Sequence, residues 1–400
     1  MAAPVSVTRF RLILLSLAMG GFAIGTTEFA SMSLLPYFAP ALGIDEPTAG
    51  HVISIYALGV VVGAPILAVL AAKLSRRVLL IGLMLMFALG NGLSAIAPDY
   101  HSMLLFRFIS GLPHGAYFGV AALTAASVAP RHKRAQAVSY VMMGLTIATV
   151  AGVPFANWLG QVIGWRYGFG VVAVLALATA LLVMAFAPRD GAPEGASPLK
   201  ELGALTNRQI WLTLLTGAVG FGGLFAVYTY VATTMMEVTG VSAALVPAVL
   251  AVFGVGMTAG NLFAGWAADK ALIPTAAGMF LLSASALALY PLAAQNIWTI
   301  GLDIFFIGFG GGVGVVLQMR LMDVAGEAQT LAAALHHSAF NVANAIGPWL
   351  GGMAIAAGYG WTSTGWVGCA LALGGVALLA VTVWDAKRTA DKAPKHQGFL

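Results

Sequence analysis

Long apolar runs alternate with short polar turns along almost the whole chain. About 20 residues at ~1.5 Å per residue cross the hydrocarbon core of a bilayer, and each of these runs is long enough to do so. The pattern therefore predicts an all-α membrane protein with twelve transmembrane helices. We place them at residues 10–35, 48–72, 77–97, 100–128, 135–160, 166–187, 209–236, 243–268, 274–294, 296–319, 330–357 and 361–385.

One polar segment interrupts this pattern in the middle of the chain. Residues 188–208 are rich in proline, glycine and charged side chains, which is typical of a linker. Six predicted helices lie before it, in residues 1–187, and six lie after it, in residues 209–400. We therefore predict an N-terminal and a C-terminal six-helix bundle joined by this linker.

The two halves carry the same landmarks at nearly constant spacing. Gly63 precedes Lys73 by the same interval by which Gly260 precedes Lys270, and the offset between the two pairs is 197 residues. At nearly the same offset, Pro154 matches Pro348, and Gly164-Trp165 matches Gly360-Trp361. A shared offset in corresponding helices indicates two bundles related by pseudo-symmetry.

Composition and charge agree with a membrane protein. The chain is 60% hydrophobic and only 8% charged, whereas charged residues make up about a quarter of a soluble domain. The net charge of +5 does not indicate nucleic-acid binding, because the basic residues lie in short loops. Placing both termini in the cytoplasm puts every Lys and Arg on that side except Arg107 and Arg166. The single cysteine, Cys369, excludes an internal disulfide.

Several motifs resemble those of one transporter family. They are Gly-Thr-Thr-Glu-Phe at residues 25–29, Arg107-Phe-Ile-Ser-Gly-Leu-Pro-His-Gly in the fourth helix, and the glycine-rich stretch 144–160 around Pro154. On these motifs the chain resembles the major facilitator superfamily, in its 12-helix drug:proton antiporter branch, and most of all the bacterial arabinose-efflux-type permeases. The resemblance covers residues 10–385 and implies two pseudo-symmetric six-helix bundles.

The gating residues are taken from this resemblance and from the repeats. The glycines of the fifth helix are expected to let the two bundles press together, and Pro154 to bend that helix. The loop after the second helix departs from the family pattern, because Ala72 stands where an acid belongs, which puts the charge lock of the first half in doubt. The gating candidates are Gly152, Pro154, Gly347, Pro348, Lys73, Arg76, Arg77, Asp269 and Lys270.

Three charges lie well inside the predicted helices, namely Glu28, Arg107 and Asp303. Counted from the nearer helix ends at ~1.5 Å per residue, all three lie at about the same depth. A charge in the membrane costs roughly 2.5–3.5 kcal/mol on insertion scales, so pairing is expected. Two acids and one arginine leave one acid over, and such an acid can bind a proton on one side of the membrane and release it on the other.

We predict that Glu28 is this acid, as the resemblance also implies, and that Arg107 holds the substrate or the other charge. Two alternatives stay open. Asp303 could titrate while Glu28 pairs with Arg107, or Asp303 could be a solvated acid near a helix end. His114 shares a helix face with Arg107 and is either a buried neutral side chain or a second proton or substrate site. The adjacent His336 and His337 point about 100° apart, which argues against a two-histidine metal site.

Aromatic, soft and amide side chains are candidates to line a cavity for an amphipathic substrate, although core packing explains any one of them as well. With Arg107 and His337, these substrate-binding candidates are Tyr56, Tyr117, Phe118, Met143, Phe221, Phe225, Tyr228, Tyr230, Gln318, Asn341 and Asn344.

These observations favour a proton-coupled secondary transporter that exports a small amphipathic drug or sugar by alternating access. We find no phosphate-binding loop, no Gly-x-Ser-x-Gly elbow and no His-Glu-x-x-His pattern, so we expect no enzyme activity and no cofactor or metal. The alternatives are a proton symporter for nutrient uptake and a non-transporting membrane receptor. We expect a monomer in the bacterial inner membrane, in contact with lipids, a small-molecule substrate and protons, and not with nucleic acid.

Overall fold

The computed structural model describes residues 7–44, 46–49, 51–189, 191, 197–242 and 245–392. The outer ends of the predicted domains, part of the predicted linker and the basic residue Lys395 lie outside these ranges. The described chain contains twelve long helices, as predicted. They are α1 (Val7–Ser33), α2 (His51–Leu70), α3 (Arg76–Ala95), α4 (Tyr100–Val128), α5 (Arg134–Ile147, Ala148–Gly152 and Val153–Val162), α6 (Trp165–Phe186), α7 (Arg208–Gly220, Gly222–Thr234 and Met235–Thr239), α8 (Val246–Ala268), α9 (Leu272–Ala293), α10 (Ile297–Gly310 and Val313–Val324), α11 (Gln329–Ala354 and Ile355–Tyr359) and α12 (Ser363–Lys392).

Ten of the helices in the described ranges are long and apolar enough to cross a membrane by length and composition alone. The other two, α4 and α11, have 29 and 26 residues in their main segments but carry more polar side chains, including an arginine and four histidines. Both lie at the centre of the protein, where most of these side chains are buried. A polar membrane helix is tolerated there because its polar groups face protein and not lipid.

The helix ends follow local chemistry. Asp99 and Ser102 form a reciprocal capping box at the start of α4, and Ser75, Asn207 and Asn296 cap α3, α7 and α10. The first helix ends at Ser33, slightly before the predicted end, and a short helix, Leu35–Ala41, follows it. The last helix continues beyond the predicted residue 385 to Lys392.

Glycines set the closest helix pairs, and the two halves repeat this packing. A side chain at Gly63 would meet the backbone of Leu112, so α2 and α4 touch without intervening side chains. At the same offset of 197 residues, Gly260 meets the backbone of Phe309 in α8 and α10. The same relation holds for Gly59 against Phe108 and Gly256 against Phe305. Small residues at helix crossings in membranes allow such approach, and the predicted repeat is therefore present in the packing.

The face at which α1 begins, called here the basic face, also carries the α2–α3, α4–α5, α8–α9 and α10–α11 turns and the linker. Across the two halves, α2 and α4 pack on α11, and α5 packs on α8. At the basic face these contacts are tight. A side chain at Gly265 of α8 would lie 2.5 Å from Ser139 of α5, and one at Gly119 of α4 would lie 2.7 Å from Ala334 of α11. The basic face is thus closed in this conformation.

Candidate functional site

A central cavity of about 80 Å³ lies between the two halves. Its wall includes six of the predicted site residues. Phe29, Phe221, Met257 and Phe340 give the wall its apolar character, and Glu28 is the only acid among the residues that line it. The six predicted residues are Glu28, His114, Phe221, Phe225, His337 and Asn341.

Arg107 lies behind this wall and is completely buried. Its guanidinium donates hydrogen bonds to Thr27 Oγ1 at 3.1 Å, Ser31 Oγ at 3.3 Å and Ser110 Oγ at 3.4 Å. Its carbon Cζ lies 4.3 Å from the ring centroid of Tyr56, a cation–π contact. Hydroxyl groups and an aromatic face therefore hold the guanidinium, while its Nε–H has no hydrogen-bond partner within the described protein.

The predicted pairing of the intramembrane charges is not seen. Among the described residues, the ion pairs within 4.0 Å are Arg134–Asp323, Lys200–Glu327 and Arg208–Asp385, and none of them contains Arg107. The alternative in which Glu28 forms a close pair with Arg107 is therefore wrong for this conformation.

Two histidines connect the halves next to the cavity. The Tyr56 hydroxyl and His114 Nδ1 are hydrogen-bonded at 2.9 Å. The rings of His114 in α4 and His337 in α11 lie 5.6 Å apart, and Phe118 stacks on His337 at 4.5 Å with an interplanar angle of 14°. The rings of the neighbouring His336 and His337 are nearly perpendicular, but both residues line the cavity, so the expectation that adjacent histidines of one helix cannot both face one cavity is wrong. Among the described residues no cluster of three or more metal-ligating side chains is found.

Several buried polar atoms near the cavity have no hydrogen-bond partner within the described protein. They are His337 Nε2, Ser338 Oγ, Asn341 Oδ1 and Gln318 Oε1. The other atoms of the two amides are bound, because Asn341 Nδ2 donates to the carbonyl of His337 and Gln318 Nε2 donates to that of Ala333. Unsatisfied buried polar atoms are costly and call for a partner, so His337 and Asn341 of α11 offer free polar atoms at the cavity.

Asp303 lies in the C-terminal half and is 8% exposed. This burial does not fit the alternative of a solvated acid near a helix end. Its Oδ2 atom has no hydrogen-bond partner in the described protein. Asp303 is absent from the lining of the central cavity, so the structure separates it from Glu28.

Other predicted substrate residues lie away from the central cavity. The Tyr117 hydroxyl donates to the Leu17 carbonyl inside the N-terminal half, and that of Tyr230 donates to the Pro348 carbonyl. Met143 lines a separate groove beside α1. Tyr228 packs on Phe29 and Phe253 next to the cavity, and Asn344 is half-buried in α11.

Sequence reasoning missed the hydroxyl and amide side chains that hold Arg107. Thr27 bridges Arg107 to the Oδ1 atom of Asn91 in α3, with a Thr27 Oγ1 to Asn91 Oδ1 distance of 2.6 Å. The signal available in the sequence was that Thr27 and Ser31, four residues apart, share a face of α1. It also missed His336, Phe340, Asn261 and Thr146 in the cavity wall.

The predicted role of the α5 glycines needs correction. Side chains at Gly144 and Gly152 would meet Ala18 and Thr26 of α1, which belongs to the same half. The glycines that bring the halves together on this side are Gly254 and Gly265 of α8. In the same way, Gly347 of α11 faces Gly222 of α7 within its own half.

The bend of α5 also differs from the expectation based on Pro154 alone. A wide π-helical turn, Ala148–Gly152, comes directly before the segment that contains Pro154 near its start. Proline is favoured at such a start because its missing N–H is not needed there. The π turn therefore contributes the irregularity together with the proline.

The basic-face residues divide into those that cross between the halves and those that do not. Asp269 at the end of α8 accepts hydrogen bonds from the backbone N–H groups of Ala135 at 2.9 Å and Gln136 at 3.0 Å, across the two halves. Lys270 lies 3.7 Å from the ring centroid of Trp266 in its own half. The guanidinium of Arg77 donates to the Met184 carbonyl of α6, and Lys73 is exposed.

The comparison with known proteins decides the family. The family model described as Major Facilitator Superfamily matches residues 17–326 and 232–399. This chain belongs to the major facilitator superfamily. The inner membrane transport protein YdhP of Escherichia coli is 42% identical over 92% of this chain and 94% of its own length. The chloramphenicol resistance protein of Streptomyces lividans is 33% identical over 83% and 86%.

The superfamily fold is seen as well in a solved structure. The transporter FucP in the outward conformation has a TM-score of 0.76, covers 94% of this chain and 99% of its own, and is 16% identical. At that identity the likeness shows the fold alone. The resemblance read from the motifs is thus confirmed, and the chain is a multi-pass membrane transporter of the superfamily. The exact domain boundaries and the orientation of the termini stay predictions.

Proposed function

We propose that this transporter exports a small amphipathic compound in exchange for protons, and that Glu28 is the group that binds the proton. The observation that carries the proposal is the position of Glu28, the only acid in the lining of the cavity between the halves. No close ion pair ties it to Arg107 among the described residues. A carboxylate at such a place meets substrate and proton at the same surface, so the two can compete for it.

The cavity wall indicates the substrate class. Its aromatic and methionine side chains offer apolar contact, and Asn261, Asn341 and the histidines offer a few polar ones. The guanidinium of Arg107 lies behind the wall, where three hydroxyl groups hold its two terminal nitrogens, and it does not line the cavity. We therefore infer a neutral or singly cationic amphipathic compound, and not an anion.

Alternating access is needed, because the cavity of about 80 Å³ is smaller than the ~300–1,000 Å³ typical of small-molecule sites. Binding requires the halves to move apart at one face. We propose that the basic face is cytoplasmic, by the positive-inside rule, and that Asp269 helps to close it. The transporter is proposed to act as a monomer among membrane lipids in the bacterial inner membrane.

The export direction is supported by the chloramphenicol resistance protein, since a transporter that confers resistance must remove the compound. Proton exchange can supply the energy. Each charge that moves inward gains ~2.3 kcal/mol per 100 mV, and each unit of pH gradient adds about 1.4 kcal/mol. One proton under both is therefore sufficient for a concentration ratio of several hundred.

The test uses everted membrane vesicles with an acid lumen and a luminal pH dye. Chloramphenicol, a lipophilic cation such as ethidium, and L-arabinose are added in turn. Exchange raises the luminal pH when a transported compound is added. Co-transport with protons, as in an uptake symporter, lowers it, and no response to a broad panel favours a non-transporting receptor.

The matched variants are Glu28→Gln and Glu237→Gln, the second being an exposed acid far from the cavity lining. Glu28→Gln is expected to retain substrate binding and substrate–substrate exchange but to lose the pH response. Glu237→Gln is expected to behave as the parent protein. An undiminished pH response in Glu28→Gln contradicts the role of Glu28.

A further inference from the structure

Two helices that start at the basic face between the halves lack caps of their own. The residues before α5 and α11 are Lys133 and Ala328, and neither side chain accepts a hydrogen bond from its helix. The first turn of a helix leaves backbone N–H groups without partners and carries a partial positive charge. Each of these two helices therefore needs an acceptor from elsewhere, and a carboxylate fits best.

For α5 this acceptor is Asp269 from the other half, as described above. For α11 it comes from the linker. Glu201 lies in the short linker helix Pro198–Leu202, and its Oε2 atom accepts from the backbone N–H of Leu331 at 2.8 Å. Hydrogen bonds from Thr330 reach the same carboxylate. Glu201 is only 7% exposed, although it belongs to a polar segment.

The surroundings of Glu201 hold the linker helix in place. This helix packs on both α2 and α11, which belong to different halves. The neighbouring Lys200 forms an ion pair with Glu327, just before α11, at 3.1 Å. Burial raises the pKa of the Glu201 carboxyl, while the hydrogen bonds from Leu331 and Thr330 and the charge of Arg76 act in the opposite direction.

The internal repeat shows why this contact is unusual. Ala135 and Leu331 occupy equivalent positions at the starts of α5 and α11, 196 residues apart. The equivalent of Asp269 in the first half, 197 residues earlier, is Ala72, whose methyl group cannot accept a hydrogen bond. From this geometry we infer that Glu201 of the linker takes over the missing acid, so that the linker itself latches the α2–α11 side of the basic face.

The latch rests on the proposed alternating access, and it assigns a gating role to a segment otherwise expected to be a passive connection. When the basic face opens, α11 must leave α2, and the contact between Glu201 and the start of α11 then breaks. Opening at this face therefore requires the linker helix to detach from α11 or to move with it away from α2.

The test measures opening directly and needs no substrate. In the full-length protein carrying Cys369→Ser, spin labels at Leu74→Cys and Lys387→Cys report the distance between the halves at the basic face in lipid nanodiscs. Both sites are exposed, and they lie in different halves. Glu201→Ala is expected to shift the equilibrium about fivefold toward long distances, the size that fits loss of one helix N-cap. Glu201→Gln, which keeps an acceptor oxygen but no charge, is expected to shift it less.

The decisive variant is Ala72→Asp in the Glu201→Ala background, which should restore the short distance because it returns an acid to the position equivalent to Asp269. Glu327→Gln is the matched control, since it removes a neighbouring acid from an exposed ion pair and should shift the equilibrium far less than Glu201→Ala. Unchanged distances in both Glu201 variants overturn the inference, and so does a shift that Ala72→Asp fails to reverse. If Glu201→Ala does not fold, the same distances are compared between Glu201→Gln and the double variant Glu201→Gln with Ala72→Asp, and the outcomes have the same meaning. The label distances report only the opening of the basic face, whereas the vesicle assay reports proton coupling. Failure of the proposed proton exchange would therefore be seen in the vesicles and would not change the distances.

Discussion

A methyl group at Gly119 should open the basic face. Gly119 lies on α4 where it crosses α11 of the other half, and an added Cβ atom would lie 2.7 Å from the backbone nitrogen of Ala334 and 2.9 Å from the carbonyl carbon of Ala333. Both are backbone atoms, so no side chain can rotate away. Restoring ordinary contact at about 3.4 Å requires the helices to separate by several tenths of an ångström.

The size of the effect follows from this overlap. Overpacking a close contact costs about 1–3 kcal/mol, and every 1.4 kcal/mol changes an equilibrium constant tenfold. The clash exists only while α4 and α11 touch, so the cost falls on the closed basic face and not on a conformation in which the halves have separated there. Gly119→Ala is therefore expected to shift the population about 5- to 100-fold toward an open basic face.

The assay is the distance between spin labels at Leu74→Cys and Lys387→Cys, and the control is Gly82→Ala. An added Cβ atom at Gly82 would meet nothing within 4 Å, so the same chemical change in the same half should leave the distances as they were. A distance distribution in Gly119→Ala identical to that of Gly82→Ala would refute the reasoning, because it would mean that the helices adjust locally without moving the halves.

Three further outcomes are expected. Arg107→Ala should lower the free energy of unfolding by on the order of 3 kcal/mol, because it leaves the hydroxyls of Thr27 and Ser31 without their buried donor. Arg107→Lys should lower it less. Denaturant titration of the purified protein measures both changes. Asp269→Ala removes the acceptor at the start of α5, so it should shift the equilibrium toward an open basic face by roughly 0.5–2 kcal/mol, as measured by the distance between the spin labels. A shift no larger than that of Glu237→Gln would argue against a latch at Asp269. Asp303→Asn should retain the luminal pH response. If the variant loses this response, Asp303 and not Glu28 is the group that binds the proton.

The helices were predictable because the bilayer imposes their length. A run that must cross the hydrocarbon core with every backbone group bonded has few alternatives to a helix. The helices α4 and α11 are more polar than the other ten. They could still be predicted from their uninterrupted length and their position in the repeat. Helix ends were less exact, since the turns after α1 form an additional short helix.

The site was predictable only as far as single helices allow. Glu28, His114 and His337 could be selected because an ionisable side chain within an apolar run must face protein or a cavity. The partners of Arg107 could not, because Thr27 and Asn91 become neighbours only when three helices pack together. For the same reason the smooth face of α5 was assigned to the wrong neighbour, since a row of glycines does not say which helix it will meet.

The latch was beyond prediction for a different reason. The sequence showed that Ala72 replaces the expected acid, and this substitution alone suggested that the first half lacks a lock. Glu201 lies more than a hundred residues away, in a segment whose composition is that of a connection. Only the folded chain brings its carboxylate to the start of α11.

The wide turn in α5 explains how one helix stays in contact with α1 along its length. Gly144 and Gly152 lie eight residues apart, and both touch α1, at Ala18 and Thr26. In an uninterrupted α-helix, eight residues overshoot two full turns by ~80°, so the row would drift away from its neighbour. The π turn Ala148–Gly152 absorbs one residue without advancing the rotation by its usual ~100°, which realigns the second glycine with the first. Deleting a single residue there would leave the outer third of the helix in the same orientation, because seven residues of a regular α-helix advance by the same ~700°. A regular α-helix that kept all of its residues would instead turn the outer third by ~100° away from α1, so the surplus residue and the π turn together keep the register.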